Sequence, residues 1–333
     1  MKRILRHSLL VSALLTGWVR PARASERITL LVGGIDKVIY LPVKLAEQLG
    51  YFSREGLDVE LRSEYSGIQG VDDLLVGSVQ GVVGFYDHVI YMQSKGKAVV
   101  CLIQFAQAPG EVELVSTRMP GPVRSMADLK DRVLGVTGLG SSTQFLSRYL
   151  ALAAGLKLNQ VTFMPVGTGD AFISAMNHGV ISAGMTTEPT ASRMLDSGQA
   201  TVLVDLRTPE DTVRALGGPY PASCLYMETA WVHRHKPEVQ KLVNALMKAL
   251  TFIQTHTAAE IADQLPPKFY TCDRATYVKA LAHSKGIFIP DGRMPVNGPA
   301  HVLKVLTHTE RSLQGKNIDL ASTYTLEFVN AAR

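Results

Sequence analysis

The feature that most constrains how this chain can fold is an internal repeat. The stretch "YSGIQGVDDLLVGSVQGVVGFYDH" from Tyr65 lies on "GTGDAFISAMNHGVISAGMTTEPT" from Gly167 without a gap. Gly67 meets Gly169, Gly77 meets Gly179 and Val79 meets Ile181, each 102 residues further on. The same offset puts Gly96 on Gly198 and Val59 on Val161. A repeat of this length means two lobes built from the same supersecondary units.

Each unit alternates strand and helix. "RITLLVGG" reads as a buried strand. "YLPVKLAEQLG" follows as a helix with Leu41, Leu45, Ala46 and Leu49 on one face, Pro42 near its first turn and Gly50 as its stop. "GLDVELR" alternates apolar and polar residues as a strand does, and the strand pattern returns in "DRVLGVTG", "QVTFMPVG", "GVISAGMTTE" and "ATVLVDL". Strands separated by helices predict an α/β fold with mainly parallel sheets. Beyond Pro237 the pattern is helical, over 239–255, 258–264, 275–284 and 299–313.

The repeat also predicts a geometry. Residues 34–40 should face 138–142, Ser66 should face Thr168, and Tyr86, Asp87 and His88 should face Thr187, Glu188 and Pro189. All fall at the carboxyl ends of predicted strands, where open α/β sheets bind ligands.

Within this frame "GVTGLGSSTQFLSRYL" (135–150) carries the strongest local signal. A phosphate-binding loop needs a Lys before its Ser or Thr, a dinucleotide fingerprint needs a third glycine, and a hydrolase elbow needs G-x-S-x-G. None is present. What remains is a strand, a glycine turn and a hydroxyl-rich helix start, whose N–H groups suit an anion or a polar ligand head. Ser141 or Ser142 also reads as an ordinary N-cap. The position opposite the Tyr40 loop favours a binding cradle.

The chain begins with Lys2, Arg3 and Arg6, an apolar run over 9–19, and Ala22-Arg23-Ala24. This order predicts a secretory signal peptide over residues 1–24 and a periplasmic mature protein. Of the 34 basic residues five lie in that segment, leaving 29 against 29 acidic ones. The mature chain is near neutral, which argues against nucleic acid as a partner. Cys101, Cys224 and Cys272 form no C-x-x-C and no disulfide framework. His233 and His235 lack further ligands at workable spacing, so no metal is expected.

The phrases "YLPVKLAEQLGYFSREGLDVEL", "GSVQGVVGF", "ADLKDRVLGVTGLGSSTQFLSRYLALAAGL" and "GTGDAFISAMNHGVISAGMTTEPT" resemble the periplasmic substrate-binding proteins of ABC importers for nitrate, sulfonates and taurine. The wider group includes binders of thiamine-precursor pyrimidines. The resemblance covers roughly residues 28–260. In one respect the chain departs from the pattern, with Gln80 and Ser182 where the family's G-x-V-D places an acid.

The resemblance implies a two-lobed type II periplasmic-binding-protein fold, with residues 25–115 and 221–333 in the first lobe and 116–220 in the second. It implies ligand contacts at Asp36, Tyr40, Ser66, Tyr86, Asp87, His88, Gly140, Ser141, Ser142, Thr143, Thr168, Thr187 and Glu188. It further implies a monomer that closes about a hinge on a small molecule and delivers it to a membrane permease with a cytoplasmic ATPase. No catalytic residue, cofactor or metal is expected. The cradle suggests an anion while Asp87 and Glu188 suggest a cation or donor, so an aminosulfonate such as taurine and an aminopyrimidine stacked on Tyr40 or Tyr86 both remain open. The alternatives are a pyrimidine-synthase-like enzyme of the same fold, against which the scattered cysteines argue, and a periplasmic sensor.

Overall fold

The computed structural model describes residues 27–64 and 66–332, so the predicted signal peptide lies outside the described residues. Two five-stranded sheets organise the chain. The first is formed by β1 (Ile28–Val32), β2 (Val59–Ser63), β3 (Gly81–Phe85), β4 (Val99–Gln104) and β10 (Ser223–Glu228), in the order β2-β1-β3-β10-β4. The second is formed by β5 (Glu111–Ser116), β6 (Arg132–Val136), β7 (Val161–Pro165), β8 (Ala183–Thr187) and β9 (Ala200–Leu206), in the order β7-β6-β8-β5-β9.

The two orders are the same once the repeat is applied. β1 pairs with β2 from Ile28↔Val59 to Val32↔Ser63, and β6 pairs with β7 from Arg132↔Val161 to Val136↔Pro165, both parallel. β10 runs antiparallel between β3 and β4, and β5 runs antiparallel between β8 and β9. In each sheet the antiparallel strand is the first one after the chain crosses between the lobes. The expected domain bounds put the change of lobe at residues 115–116, the far end of the expected exit segment 104–115. β5 already completes the second sheet at Glu111, so the crossing falls within 105–110.

The matched glycines have a physical reason. Gly77 and Gly179 stand at φ 78° and 69°, in the left-handed region that closes the turn into β3 and β8. A side chain there costs backbone strain. The same turn is needed twice, so the same residue stands there twice.

Helices cover the sheets. The first lobe carries α1 (Leu41–Gln48), α2 (Tyr51–Arg54), α3 (Gly70–Leu75) and α4 (Tyr86–Ser94); the second carries α5 (Ser142–Ala153), α6 (Asp170–Asn177), α7 (Thr190–Asp196) and α8 (Pro209–Leu216). After β10 come α9 (Thr229–Arg234), α10 (Lys236–Thr255), α11 (Ala258–Asp263), α12 (Arg274–Ser284), α13 (Gly298–Thr309) and α14 (Glu327–Ala331). α10 buries Val239, Leu242, Val243, Leu246, Leu250 and Ile253, one apolar stripe at helical spacing. α11 starts on a capping box of Thr257 and Glu260, and Asp273 caps α12 by accepting the Thr276 N–H at 2.9 Å. No helix among the described residues is long and apolar enough to cross a membrane.

Each lobe has its own apolar cluster, and a third joins them. It gathers Leu31, Val82 and Tyr86 from the first lobe, Leu134, Phe145 and Met185 from the second, and Val302 and Val305 of α13. The expected assignment of 221–333 to the first lobe alone is thus too simple, since α13 packs against both α5 and α4.

Candidate functional site

The parallel strands of both sheets point their carboxyl ends at one cleft, and the antiparallel strands β5 and β10 start there, so the loops at these ends meet. Its deepest part is a throat of about 10 Å³, room for about one water-sized body. Lys37, Tyr40, Ser66 and His88 line it from the first lobe, and Thr137, Ser141, Ser142 and Thr143 from the second. Glu111, the first residue of the antiparallel strand β5, closes it.

Titratable groups are concentrated in this buried space. The Lys37 ammonium donates to the Gly33 carbonyl at 2.6 Å. Burial pushes its pKa down to about 8, against the opposing pull of Asp36 and Glu111. Glu111 is 2 % exposed, and its Oε2 has no hydrogen-bond partner among the described residues. Burial raises its pKa well above the usual carboxylate range; nearby Asp87 raises it further, and Lys37 opposes the shift. Among the described residues neither ring nitrogen of His88 has a hydrogen-bond partner. Burial lowers the His88 pKa, which favours the neutral ring even though Asp87 lies 3.6 Å from its Nε2. Buried polar atoms left in this state are costly, so the throat is suited to take up a polar group.

Two larger cavities flank the throat, and the repeat relates them. One, of about 430 Å³, is lined by Gly34, Asp36, Ser63, Glu64, Thr168, Gly169, Asp170 and Arg193. The other, of about 410 Å³, is lined by Ile68, Gln69, Gly138, Leu139, Pro165, Val166, Gly167 and Ala171. At the offset of 102, Ser63 corresponds to Pro165, Glu64 to Val166, and Ile68 to Asp170. The first cavity is charged where the second is apolar.

The structure distributes the expected contact residues unevenly. Tyr40, Ser66, His88, Ser141, Ser142 and Thr143 line the throat, and Asp36 and Thr168 line the charged cavity. The expected facing of loops is partly crosswise. Val38 N–H donates to the Glu188 carbonyl at 3.0 Å, and Ser142 donates to Asp87 at 3.0 Å. Ser66 packs beside Gly138 rather than opposite Thr168 alone.

Tyr86, Asp87, Thr187 and Glu188 line none of the three cavities. The Tyr86 ring sits in the shared apolar cluster with its hydroxyl on Thr323, so it is not available to stack on a ligand ring in the cleft. Asp87 is fully buried and accepts from Ser142 and from Tyr220 at 2.9 Å, tying the lobes together. Glu188 pairs with Arg207 at 2.7 Å and accepts the Ser192 N–H at the start of α7. Gly140 stands at φ 79°, and its N–H donates to Gln144 Oε1 at 2.6 Å. Ser141 caps α5 through the Gln144 N–H at 3.4 Å, and Thr143 accepts from the Thr137 N–H at 2.9 Å. The helix start is therefore largely satisfied from within.

Lys37, Glu64, Glu111, Thr137 and Arg193 join the site without having stood out individually in the sequence. Lys37 lies inside the loop already singled out. Glu111 had a signal in "EVELV", whose alternation puts two acids on one face of a strand. Among the described residues no group of three metal-ligating side chains comes together.

Comparison with known proteins agrees with this architecture. A solved protein of Bordetella bronchiseptica RB50 is 34% identical, with 93% of this chain and 96% of that one covered and a TM-score of 0.87. The alkanesulfonate-binding protein SsuA of Xanthomonas axonopodis pv. citri is 19% identical over 91% and 99% of the two chains, with a TM-score of 0.68. The periplasmic nitrate-binding protein NrtA of Synechocystis PCC 6803 is 15% identical over 92% and 88%, with a TM-score of 0.73. The same fold also serves a desulfurization enzyme. No curated protein sequence matches the chain. Residues 39–259 match the family described as NMT1/THI5 like. The chain is a member of the NMT1/THI5-like family, with the two-lobed fold of periplasmic binding proteins.

Proposed function

We propose that this protein is the solute-binding component of an ABC importer. It captures a small polar organic molecule between its lobes and presents it to a membrane permease served by a cytoplasmic ATPase. One observation carries the reading. Two copies of a strand-helix unit oppose their strand ends across a cleft, with Glu111 Oε2 and both His88 nitrogens buried at its throat and without hydrogen-bond partners among the described residues. Alkanesulfonate and nitrate binding by proteins of the same fold support it. Binding rather than catalysis is the proposed role, with the protein acting as a monomer in the periplasm after loss of residues 1–24.

Capture would proceed by closure of the lobes about the shared apolar cluster and the crossing segment 105–110. Native mass spectrometry of protein purified from its host should show a retained small molecule. X-ray scattering of the stripped protein should then give a larger radius than the reloaded one. An unchanged profile at saturating ligand counts against closure. A transport assay in a strain lacking the gene separates an importer subunit from a sensor: a sensor leaves uptake of the identified solute intact.

A further inference from the structure

The two flanking cavities differ in a way that specifies the solute, an inference that rests on the solute-capture reading above. The charged cavity holds Asp36, Glu64 and Asp170 against one cation, Arg193. Arg193 is held by Asp170 at 2.5 Å, and neither Asp36 nor Glu64 has an ion-pair partner among the described residues. Lys37 and Lys44 act on Asp36 through space, but the carboxylates line the cavity itself. A sulfonate or nitrate placed there therefore meets negative charge, whereas an ammonium is attracted to it. The remaining Arg193 Nη1, which has no hydrogen-bond partner among the described residues, offers a donor to an oxygen beside such a cation.

The second cavity asks for the opposite chemistry. Ile68, Leu139, Pro165, Val166 and Ala171 present apolar surface, and Leu139 is 59% exposed. Such a surface gains from being covered: each methylene removed from water strengthens binding roughly fourfold. The throat adjoins both cavities. Thr137 lines the throat and the apolar cavity, while the consecutive residues Asp36 and Lys37 line the charged cavity and the throat.

We propose that the cleft selects an organic cation bearing an apolar arm. The ammonium sits by Asp36 and Glu64, and the arm lies against Leu139 and Val166. The buried Glu111 and His88 atoms take the polar part between them. Anion selection, the property named for the sulfonate and nitrate binders of the same fold, is replaced here by the placement of the acids.

The test is calorimetric titration of the full mature protein, stripped of retained solute, with four probes. These are 4-phenylbutylamine, 4-phenylbutan-1-ol, 4-phenylbutane-1-sulfonate and butylamine. The amine is expected to bind at least about tenfold tighter than the alcohol, the sulfonate weakest of the arm-bearing three, and butylamine at least about tenfold weaker than its phenyl homologue. The double variant Asp36→Asn/Glu64→Gln should erase the preference for amine while leaving alcohol binding within about twofold, which also reports that it folds. Val166→Asp should weaken the neutral alcohol about tenfold. Sulfonate binding equal to or tighter than amine binding overturns the proposal, as does a preference that survives the double variant, or no heat with any probe at millimolar concentration. In each case a solute retained in native mass spectra of the starting preparation leaves the solute-capture reading standing; its absence there, with no probe bound, removes that reading too.

Discussion

The charged and apolar cavities occupy equivalent places in two copies of one unit, yet their surfaces are opposite. Ser63 and Glu64 leave β2 where Pro165 and Val166 leave β7, and Asp170 opens α6 where Ile68 precedes α3. The sheet beneath them did not diverge in this way. Register, strand order and the left-handed glycine turns are the same in both lobes. Backbone geometry restricts what a strand or tight turn accepts, whereas a loop side chain facing a cavity answers only to what occupies it. Duplication has thus kept the frame and freed the lining.

A first way to break the comparison is to cut the tie that spans both copies. Asp87, at the start of α4, accepts hydrogen bonds from Ser142 of the second lobe and from Tyr220 of the returning crossover. Asp87→Ala leaves both hydroxyls buried without an acceptor, at about 1–3 kcal/mol each. The expected loss in urea unfolding is about 2–6 kcal/mol, with Asp87→Asn milder because one acceptor oxygen remains. The exposed Asp170→Ala, on the charged cavity's rim, should cost under about 1 kcal/mol. Equal costs for the two alanine variants would show that Asp87 does not hold the lobes.

The antiparallel strands β5 and β10 provide the next test. Glu113 pairs with Met185 in the second sheet where Leu225 pairs with Val83 in the first, so a carboxyl occupies the place of an apolar side chain. Burial pushes the Glu113 pKa up to about 8, opposed by the hydrogen bond from Ser147. A folded-state pKa above the unfolded one means that stability is fully present below about pH 4.5 and falls as pH rises towards 8. Each tenfold difference in proton affinity between the folded and unfolded chains is worth about 1.4 kcal/mol. Glu113→Gln, which cannot ionise, should match the wild type near pH 4.5 and exceed it by at least about 2 kcal/mol at pH 8. Parallel stability profiles from pH 4.5 to 8 would rule this out.

The frame was legible in the sequence for the same reason that it is duplicated. Period-two and helical spacing reflect burial, and matched glycines reflect turns, so both leave a pattern along the chain. Residues 34–40 and 138–142 fall at strand ends on that basis alone. Individual contacts were less legible. Tyr86 and Asp87 follow a strand as a ligand-binding residue would, yet the helix they begin turns Tyr86 into the shared cluster and Asp87 onto Ser142. Glu111 stayed hidden because the alternation of "EVELV" marks a strand face, while nothing along the chain says that β5 starts at the cleft and runs antiparallel to its neighbours.

The helix starts on the two sides of the throat sharpen the comparison further. α5 is capped by the Ser141 hydroxyl, whereas α1 begins at Tyr40 with no side-chain cap and Pro42 in its first turn. Proline lacks the N–H that a cap would satisfy, so α1 needs one less acceptor. Ser141→Ala should therefore lower stability by about 1 kcal/mol. Because the Gly140 and Gln144 N–H groups are satisfied within the loop, affinity for the retained solute should change less than about threefold. A tenfold loss of affinity at unchanged stability would make Ser141 a ligand contact instead of a cap.

The smallest effect tests the equivalence of the copies directly. Gly77 and Gly179 share the left-handed conformation, and a Cβ added at either meets nothing within 4 Å. Gly77→Ala and Gly179→Ala therefore differ from wild type by backbone strain alone, about 1 kcal/mol each. Their neighbours differ, with Val76 before one glycine and Val180 after the other, but both valines are exposed and pack on little. Nothing in the surroundings separates the two substitutions, so their costs in urea unfolding should agree within about 0.5 kcal/mol. The sites lie in different lobes, far enough apart that the double variant should lose the sum of the two. A cost at one site that exceeds the other by 2 kcal/mol would mean that the turns only look alike, and that the frame has diverged as its lining has.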